Sequence, residues 1–130
     1  MTIFTKIINR EIAGHIVAED ENFAAFLDIM PLVNGHTLVV PKKETDYIFD
    51  MSDSALAAMM VFAKKIAIGI KKAIPCMRIG VTVIGLEVPH AHIHLIPMNS
   101  MSDINFANPK LKPSQKELAE TATSIRNALA

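Results

Sequence analysis

The sequence predicts an α+β fold organised around a mainly antiparallel sheet of about five strands, with one long helix and a C-terminal helix. Three observations carry this. Short runs of alternating or β-branched apolar residues recur between proline, asparagine and glycine. A single long stretch, from about Ser52 to Ala73, repeats its apolar residues at the 3.6-residue period of a helix. Strand-like and helix-like segments do not follow the strict alternation that a parallel sheet requires.

The elements read in order. "FTKIINREI" places Phe4, Ile7, Ile8 and Ile12 at mixed three- and four-residue spacings, the pattern of a short amphipathic helix. "HIVAED" and "FAAFLD" read as strands joined by the turn-prone "EDEN". "PLVNG" supplies a proline and an Asn-Gly pair and leads into "HTLVVP", a strand of β-branched residues closed by Pro41. In the long helix Leu56, Met59, Ala63, Ile66, Ala67, Ile70 and Ile74 form one stripe. Lys64, Lys65, Lys71 and Lys72 fall opposite, with Val61 and Ile68 between them, where lysine stems or a second subunit could cover them. "RIGVTVIGLEVP" and "HAHIHLIP" predict two more strands, and "SQKELAETATSIRNAL" a final helix capped near Ser114.

The 130 residues suit one domain over 1–130, large enough to close a core without metals or disulfides. Thirteen basic residues balance thirteen acidic ones, with a pI near 7.0, so no long-range field draws in a nucleic acid. Cys76 is the single cysteine and has neither an internal disulfide partner nor a CxxC companion. "MTIFTKIINREI" interrupts its apolar residues with Lys6, Asn9 and Arg10, unlike a signal peptide. The longest apolar run, Ala55 to Ala63, is far short of the roughly 20 residues of a membrane span. A cytoplasmic protein that does not enter membranes is therefore expected. Its 51% hydrophobic content and mean hydropathy of +0.32 leave apolar surface for a subunit interface.

The chemistry concentrates in "VPHAHIHLIP", residues 88–97. On a strand His90, His92 and His94 point one way, with Cβ atoms of neighbours about 6.5–7 Å apart, while Ala91, Ile93 and Leu95 face the core. Metal binding by a His-x-His pair needs a third ligand, and Ile96 and Pro97 occupy the positions where jelly-roll metal enzymes place a glutamate. Glu87, Asp28 or His36 could replace it only if the fold brought them close. The other reading is nucleophilic catalysis: a neutral imidazole held in one tautomer, with donors nearby for the transition state, which makes the central His92 the natural nucleophile.

"HAHIHLI" fits the pattern His-φ-His-φ-His-φ-φ, with φ apolar, and so resembles the histidine triad (HIT) superfamily of nucleotide hydrolases and transferases. "IFTKIINREI", "FLDIMPLVNGHTLVVPKK" and the long helix are similar to the family's other segments in the same order, nearest its phosphoramidase-like branch. The resemblance spans about residues 2–98, leaving the tail from 99 to 130 uncovered, with packing the only role expected for its helix. It implies a HIT-like fold, a homodimer, and a purine nucleotide substrate of the phosphoramidate or dinucleotide polyphosphate type. By the resemblance, His92 attacks the α-phosphorus and forms a nucleotidyl-histidine that water hydrolyses, without cofactor or metal. His94 contacts the phosphate and handles protons, His90 orients the triad, and His36 is the supporting fourth histidine. Asp28 binds the ribose hydroxyls, Ile3, Phe4, Ile7, Phe26 and Ile29 line the base, and the backbone N–H groups of Glu87 and Val88 reach the phosphate.

Some positions depart from that pattern. Gly85-Leu86-Glu87-Val88 stands where many relatives carry Gly-Gln-(Ser/Thr)-Val, so the usual amide and hydroxyl donors are gone, and an ionised Glu87 would repel a phosphate. "GVTVIG" lacks an asparagine that many relatives use there, with Thr82 a weak substitute. Glu44 replaces a frequent histidine, a change expected to matter little. The altered loop keeps a second function open, a nucleotide-binding or partner-binding module with slow or no turnover.

Overall fold

A computed structural model describes residues 1–130. Five strands form one antiparallel sheet: β1 (Ile16–Glu19), β2 (Phe23–Leu27), β3 (Thr37–Pro41), β4 (Arg78–Thr82) and β5 (Ile93–Met98). Their order across the sheet is β1-β2-β3-β5-β4. The first three are a meander, as the turn residues predict, and β5 then pairs with β3 through Thr37–Leu95, Leu38–His94 and Val39–Ile93. β4 lies outermost, with Thr82 opposite His94.

Both faces of the sheet are covered, and each by a different part of the chain. The long helix α2 (Asp53–Ala73) and the C-terminal helix α3 (Gln115–Leu129) pack on one face. Met59, Ala63, Ile66 and Ile70 of the predicted stripe are fully buried there against Ala25, Val39, Ile93 and Leu95, with Leu118, Ala122 and Ile125 of α3. Each such aliphatic side chain contributes roughly 1.5–3 kcal/mol on burial. Helix α2 starts at the N-cap Ser52 and α3 at Ser114, where a capping box with Glu117 satisfies the first N–H groups. The second face carries Ala24, Phe26, Leu38 and Val40, closed by Phe4 and Ile8 of the short helix α1 (Ile3–Ile8).

Three element boundaries differ from the sequence expectation, each for a local reason. Helix α1 stops at Ile8 instead of reaching Ile12, because Arg10 turns into the left-handed region at φ 60° and pairs with Glu19. Glu19 also meets Lys42 at 2.9 Å, and the two cations hold its carboxyl at about 2. The strand from Arg78 ends at Thr82, and Val83–Pro89 form a loop that turns at Gly85, φ 76°. The histidine strand begins only at Ile93: the Ala91 N–H bonds the Thr45 carbonyl at 2.6 Å and the His90 N–H bonds Val88, so neither joins the β3 ladder. The alternation survives this irregularity, since Ala91, Ile93 and Leu95 all enter the helix-side core. Val61 and Ile68 are exposed between the lysines, and no helix is long and apolar enough to cross a membrane.

Gly35 aims the chain that delivers His36. Its φ of 90° suits glycine, and a Cβ there would sit 2.9 Å from Ile74 Cγ1 and 3.2 Å from Pro97 Cγ. Gly35→Ala is expected to destabilise the protein by about 1–3 kcal/mol. Urea unfolding of the two proteins measures the difference.

Candidate active site

His90, His92 and His94 lie on the sheet face covered by α1, and all three are buried, as is His36 at the start of β3. Phe4 packs edge-on against His92, with ring centroids 4.9 Å apart, and against His90 at 5.6 Å. His94 follows, 4.8 Å from His92, and His36 lies 5.2 Å beyond it. The four imidazoles therefore form a continuous row, which strand periodicity accounts for only in part. Its fourth member comes from the neighbouring strand.

Backbone groups of fixed polarity decide where each ring carries its proton. The His90 carbonyl can only accept, so His92 donates to it from Nδ1, at 2.7 Å, and keeps its lone pair on Nε2. The Leu32 N–H can only donate, so His36 accepts at Nδ1, at 3.0 Å, and donates from Nε2 to His94 Nδ1 at 2.9 Å. His94 then carries its hydrogen on Nε2. His90 donates from Nε2 to the Pro41 carbonyl at 2.7 Å and accepts the Thr2 hydroxyl at Nδ1, also 2.7 Å. No buried side-chain nitrogen or oxygen lacks a partner, yet Nε2 of His92 and Nε2 of His94 make no hydrogen bond, so these two atoms open onto the site. The result is a nucleophilic lone pair beside an N–H donor.

Burial, reinforced by neighbouring positive charge, keeps the supporting rings neutral. His36 is pushed down to about 4 and His94 to about 3, in both cases chiefly by burial. Burial also lowers His90. Asp28 is half-buried, accepts the Met30 N–H at 2.9 Å, and is raised chiefly by burial; its Oδ2 lies 3.8 Å from His36 Nε2.

Glu44 is far from inconsequential, contrary to the sequence expectation. Its carboxylate accepts the Thr2 N–H at 2.7 Å and the Thr5 hydroxyl at 2.6 Å, while the Thr2 hydroxyl accepts the Thr5 N–H and donates to His90. This cluster caps α1 and fixes the His90 ring in one step. Only the N-cap chemistry of Thr2 hinted at it in the sequence.

The other expected binding residues are not all alike. Phe26 is 1% exposed and belongs to the core under α1, so it has no surface to offer a base. Phe4 is also buried, against the histidine rings. Ile7 is half-buried beside that cluster, and Ile3 and Ile29 are 49% and 53% exposed. Val88 packs on the same cluster, and Glu87 is exposed, with its charge contributing to the raised Asp28. The tail ahead of its helix also reaches the histidines: the Phe106 ring stands 4.9 Å from His94 and 6.2 Å from His36, and Lys110 lies 5.4 Å over that ring. Nothing in the local pattern of residues 99–113 signals this. The donor atoms that lie near enough to share a metal are those of Asp28, His36 and His94, all within 4.8 Å, and not the His-x-His pair. A cation there would have to break the His36–His94 hydrogen bond.

The HIT domain family matches residues 9–101, most of the chain. The protein is a member of the HIT family. An uncharacterized HIT-like protein of Methanocaldococcus jannaschii is 44% identical over 101 residues, covering 75% of this chain and 78% of the relative. Adenosine 5'-monophosphoramidase of Saccharomyces cerevisiae is 36% identical over 96 residues, covering 73% of this chain and 61% of the yeast protein. Among solved structures, a hypothetical histidine triad nucleotide-binding protein of Sulfolobus tokodaii superposes with a TM-score of 0.83 at 31% identity, covering 97% of this chain and 90% of the other. This HIT protein thus has the family's α+β architecture with one five-stranded antiparallel sheet and three helices.

Two outcomes follow from the site's geometry. Thr2→Val removes the cap and the donor to His90 Nδ1, and is expected to cost about 1–3 kcal/mol in urea unfolding. Acid should also weaken the fold through His36 and His94. Their pKa values fall from 6.5 when unfolded to about 4 and about 3 when folded, so below pH 6.5 the unfolded chain takes up protons that the native rings refuse. Stability is therefore lost as pH falls from 6.5 toward 4, by up to about 1.4 kcal/mol per histidine per pH unit. Thermal melts across that range read the slope.

Proposed function

We propose that this HIT protein is a nucleotide hydrolase or transferase that acts at the α-phosphate of a purine nucleoside monophosphate derivative, through a nucleotidyl intermediate on His92. The observation that carries the reading is the His92 Nδ1–H bond to the His90 carbonyl, which leaves Nε2 as an accessible lone pair. The yeast phosphoramidase relative points to the same chemistry.

In this mechanism a bond forms from His92 Nε2 to phosphorus as the bond to the leaving group breaks, and the leaving group departs with the bonding electron pair and a proton taken from solvent. The ring then carries positive charge, and the His90 carbonyl, already bonded to Nδ1–H, stabilises it. His94 Nε2–H donates to a phosphoryl oxygen, and His36 holds that donor in place through His94 Nδ1. Water then attacks phosphorus and gives a proton to solvent as the bond from phosphorus to Nε2 breaks, which returns the lone pair to Nε2 and releases the nucleoside monophosphate. The Asp28 carboxylate is the proposed acceptor for the ribose hydroxyls, and exposed Ile3 and Ile29, with half-buried Ile7, the proposed apolar surface for the base. The backbone N–H groups of Glu87 and Val88 are the proposed phosphate donors that remain where the amide and hydroxyl side chains are missing.

A second copy of the chain is the proposed partner. β4 is a sheet edge that carries exposed Val81, and Leu86 at 89% and Phe49 at 71% are exposed as well. Together with Tyr47, Met60 and Ile84, Leu86 and Phe49 line a mainly apolar groove of about 820 Å³. This surface is more extensive than Val61 and Ile68 on the lysine face. Sedimentation of the native protein at about ten micromolar is expected to give a dimer, and Phe49→Asp with Val81→Asp a monomer. A native monomer would overturn the partner.

Adenosine 5'-phosphoramidate tests the activity. Intact-protein mass spectrometry after acid-free quenching should show an added adenylyl group on the native chain. His92→Asn should lose that mass and release AMP at least about a thousandfold more slowly, with nucleotide affinity nearly unchanged. A native protein that binds the nucleotide but neither gains the mass nor releases AMP would instead be a binding module. Loss of turnover on chelation would favour a cation at Asp28, His36 and His94.

A further inference from the structure

The family match ends at residue 101, but the chain returns to the active site after it. We propose that the strap from Asn105 to Leu111 is a working part of that site, with Phe106 as a positioning residue that seals the His36–His94 hydrogen bond from water and Lys110 as the brace that holds Phe106 there. The proposal rests on the functional reading only in that His94 Nε2–H is the donor facing the phosphate.

Phe106 stands edge-on to both rings, at 73° to His94 and 79° to His36, so one side chain covers the pair. The strap is fixed at several points. The Asn108 N–H bonds the Asn105 carbonyl at 3.0 Å, and its side-chain amide bonds the Ser102 carbonyl at 2.7 Å. The Leu111 N–H bonds the Pro31 carbonyl at 2.9 Å, next to Leu32, whose N–H sets the His36 tautomer. Lys110 Nζ donates to the Phe106 carbonyl at 2.7 Å while its charge lies over the Phe106 ring. Ring and brace form one unit, docked on the loop that orients the histidine pair.

Sealing matters because the pair works only while neutral. A proton on His94 Nδ1 would point at the His36 Nε2–H, and His36 cannot change tautomer without turning Nδ1–H against the Leu32 N–H. Water admitted at Phe106 would solvate the charged ring and make that misalignment affordable. The groups near His94 are His92, His36 and Lys110, which oppose its protonation, and the Asp28 carboxyl, within 4.8 Å. Asp28, itself influenced by Glu87 and Lys110, is the acid beside His36. Phe106 therefore keeps His94 accepting from His36 at Nδ1, so that its Nε2–H stays aimed into the site, and Lys110 adds the repulsion that keeps a proton off Nδ1.

Nitrogen-15 NMR of the imidazoles, with a pH profile of AMP release from adenosine 5'-phosphoramidate, tests the strap in the full-length chain. Native His94 should keep its neutral signals from about pH 7.5 to about 4.5. In Phe106→Ala its midpoint should rise by at least about one and a half pH units, into that window, and AMP release should drop at least about twofold near pH 4.5 with little change near 7.5. Phe106→Leu, which still excludes water, should restore both, and Lys110→Met should give a smaller shift in the same direction without opening a cavity. If His94 titrates in Phe106→Ala and Lys110→Met as in the native protein, Phe106 is only a cover and the proposal fails. The NMR readout does not require turnover, so an inactive native enzyme would defeat the functional reading while leaving the strap to be decided by the titration.

Discussion

The hydrogen bond from His92 Nδ1 to the carbonyl of His90 is the constraint on which the site depends. A carbonyl accepts and never donates, so this single contact assigns the tautomer of the central ring and leaves Nε2 free. Its carbonyl is in turn held by a residue whose own ring is fixed at both nitrogens, by Pro41 and by Thr2. On the other side Leu32, His36 and His94 repeat the device with opposite polarity, ending in an exposed N–H in place of a lone pair. The two ends of the row meet at a free lone pair beside a donor. No charged group is needed to set them, because the polarity of the peptide backbone suffices.

The fold supplies these backbone groups by covering both faces of one sheet. On the helix face, Ala25, Val39, Ile93 and Leu95 pack under α2 and α3 and anchor the strands. On the other, α1 presses Phe4 against the histidine rings, and the Thr2–Thr5–Glu44 cluster caps that helix. Burial therefore serves two ends at once: it stabilises the strands, and it keeps His36 and His94 neutral so that each can accept at Nδ1 while carrying its hydrogen on Nε2. The cost is a fold that weakens in acid, since rings that refuse protons when native accept them when unfolded.

Much of this was legible in the sequence. The helical period from Ser52, the cap at Ser114, the meander and the histidine alternation all report local chemistry that the chain carries in neighbouring residues. What was hidden was long-range. Glu44 looked like a neutral departure because nothing near it in the chain names Thr2 and Thr5 as partners, 42 and 39 residues away. Phe106 and Lys110 lie in an irregular segment whose placement is set by backbone bonds such as Leu111 to Pro31, which no periodicity encodes. Phe26 misled for the opposite reason: an apolar residue reads alike whether it lines a pocket or fills a core, and only the packing of α1 shows that it fills the core.

The central claim is that backbone polarity presets the four imidazoles before any substrate arrives. Nitrogen-15 NMR of the ligand-free protein near neutral pH tests it most directly, because protonated and lone-pair ring nitrogens have distinct signals. The account predicts a hydrogen on Nδ1 and a lone pair on Nε2 in His92, and neutral rings with the hydrogen on Nε2 in His36, His90 and His94. A His92 ring protonated at Nε2 would contradict it, since the atom assigned as the nucleophile would then have no lone pair to offer.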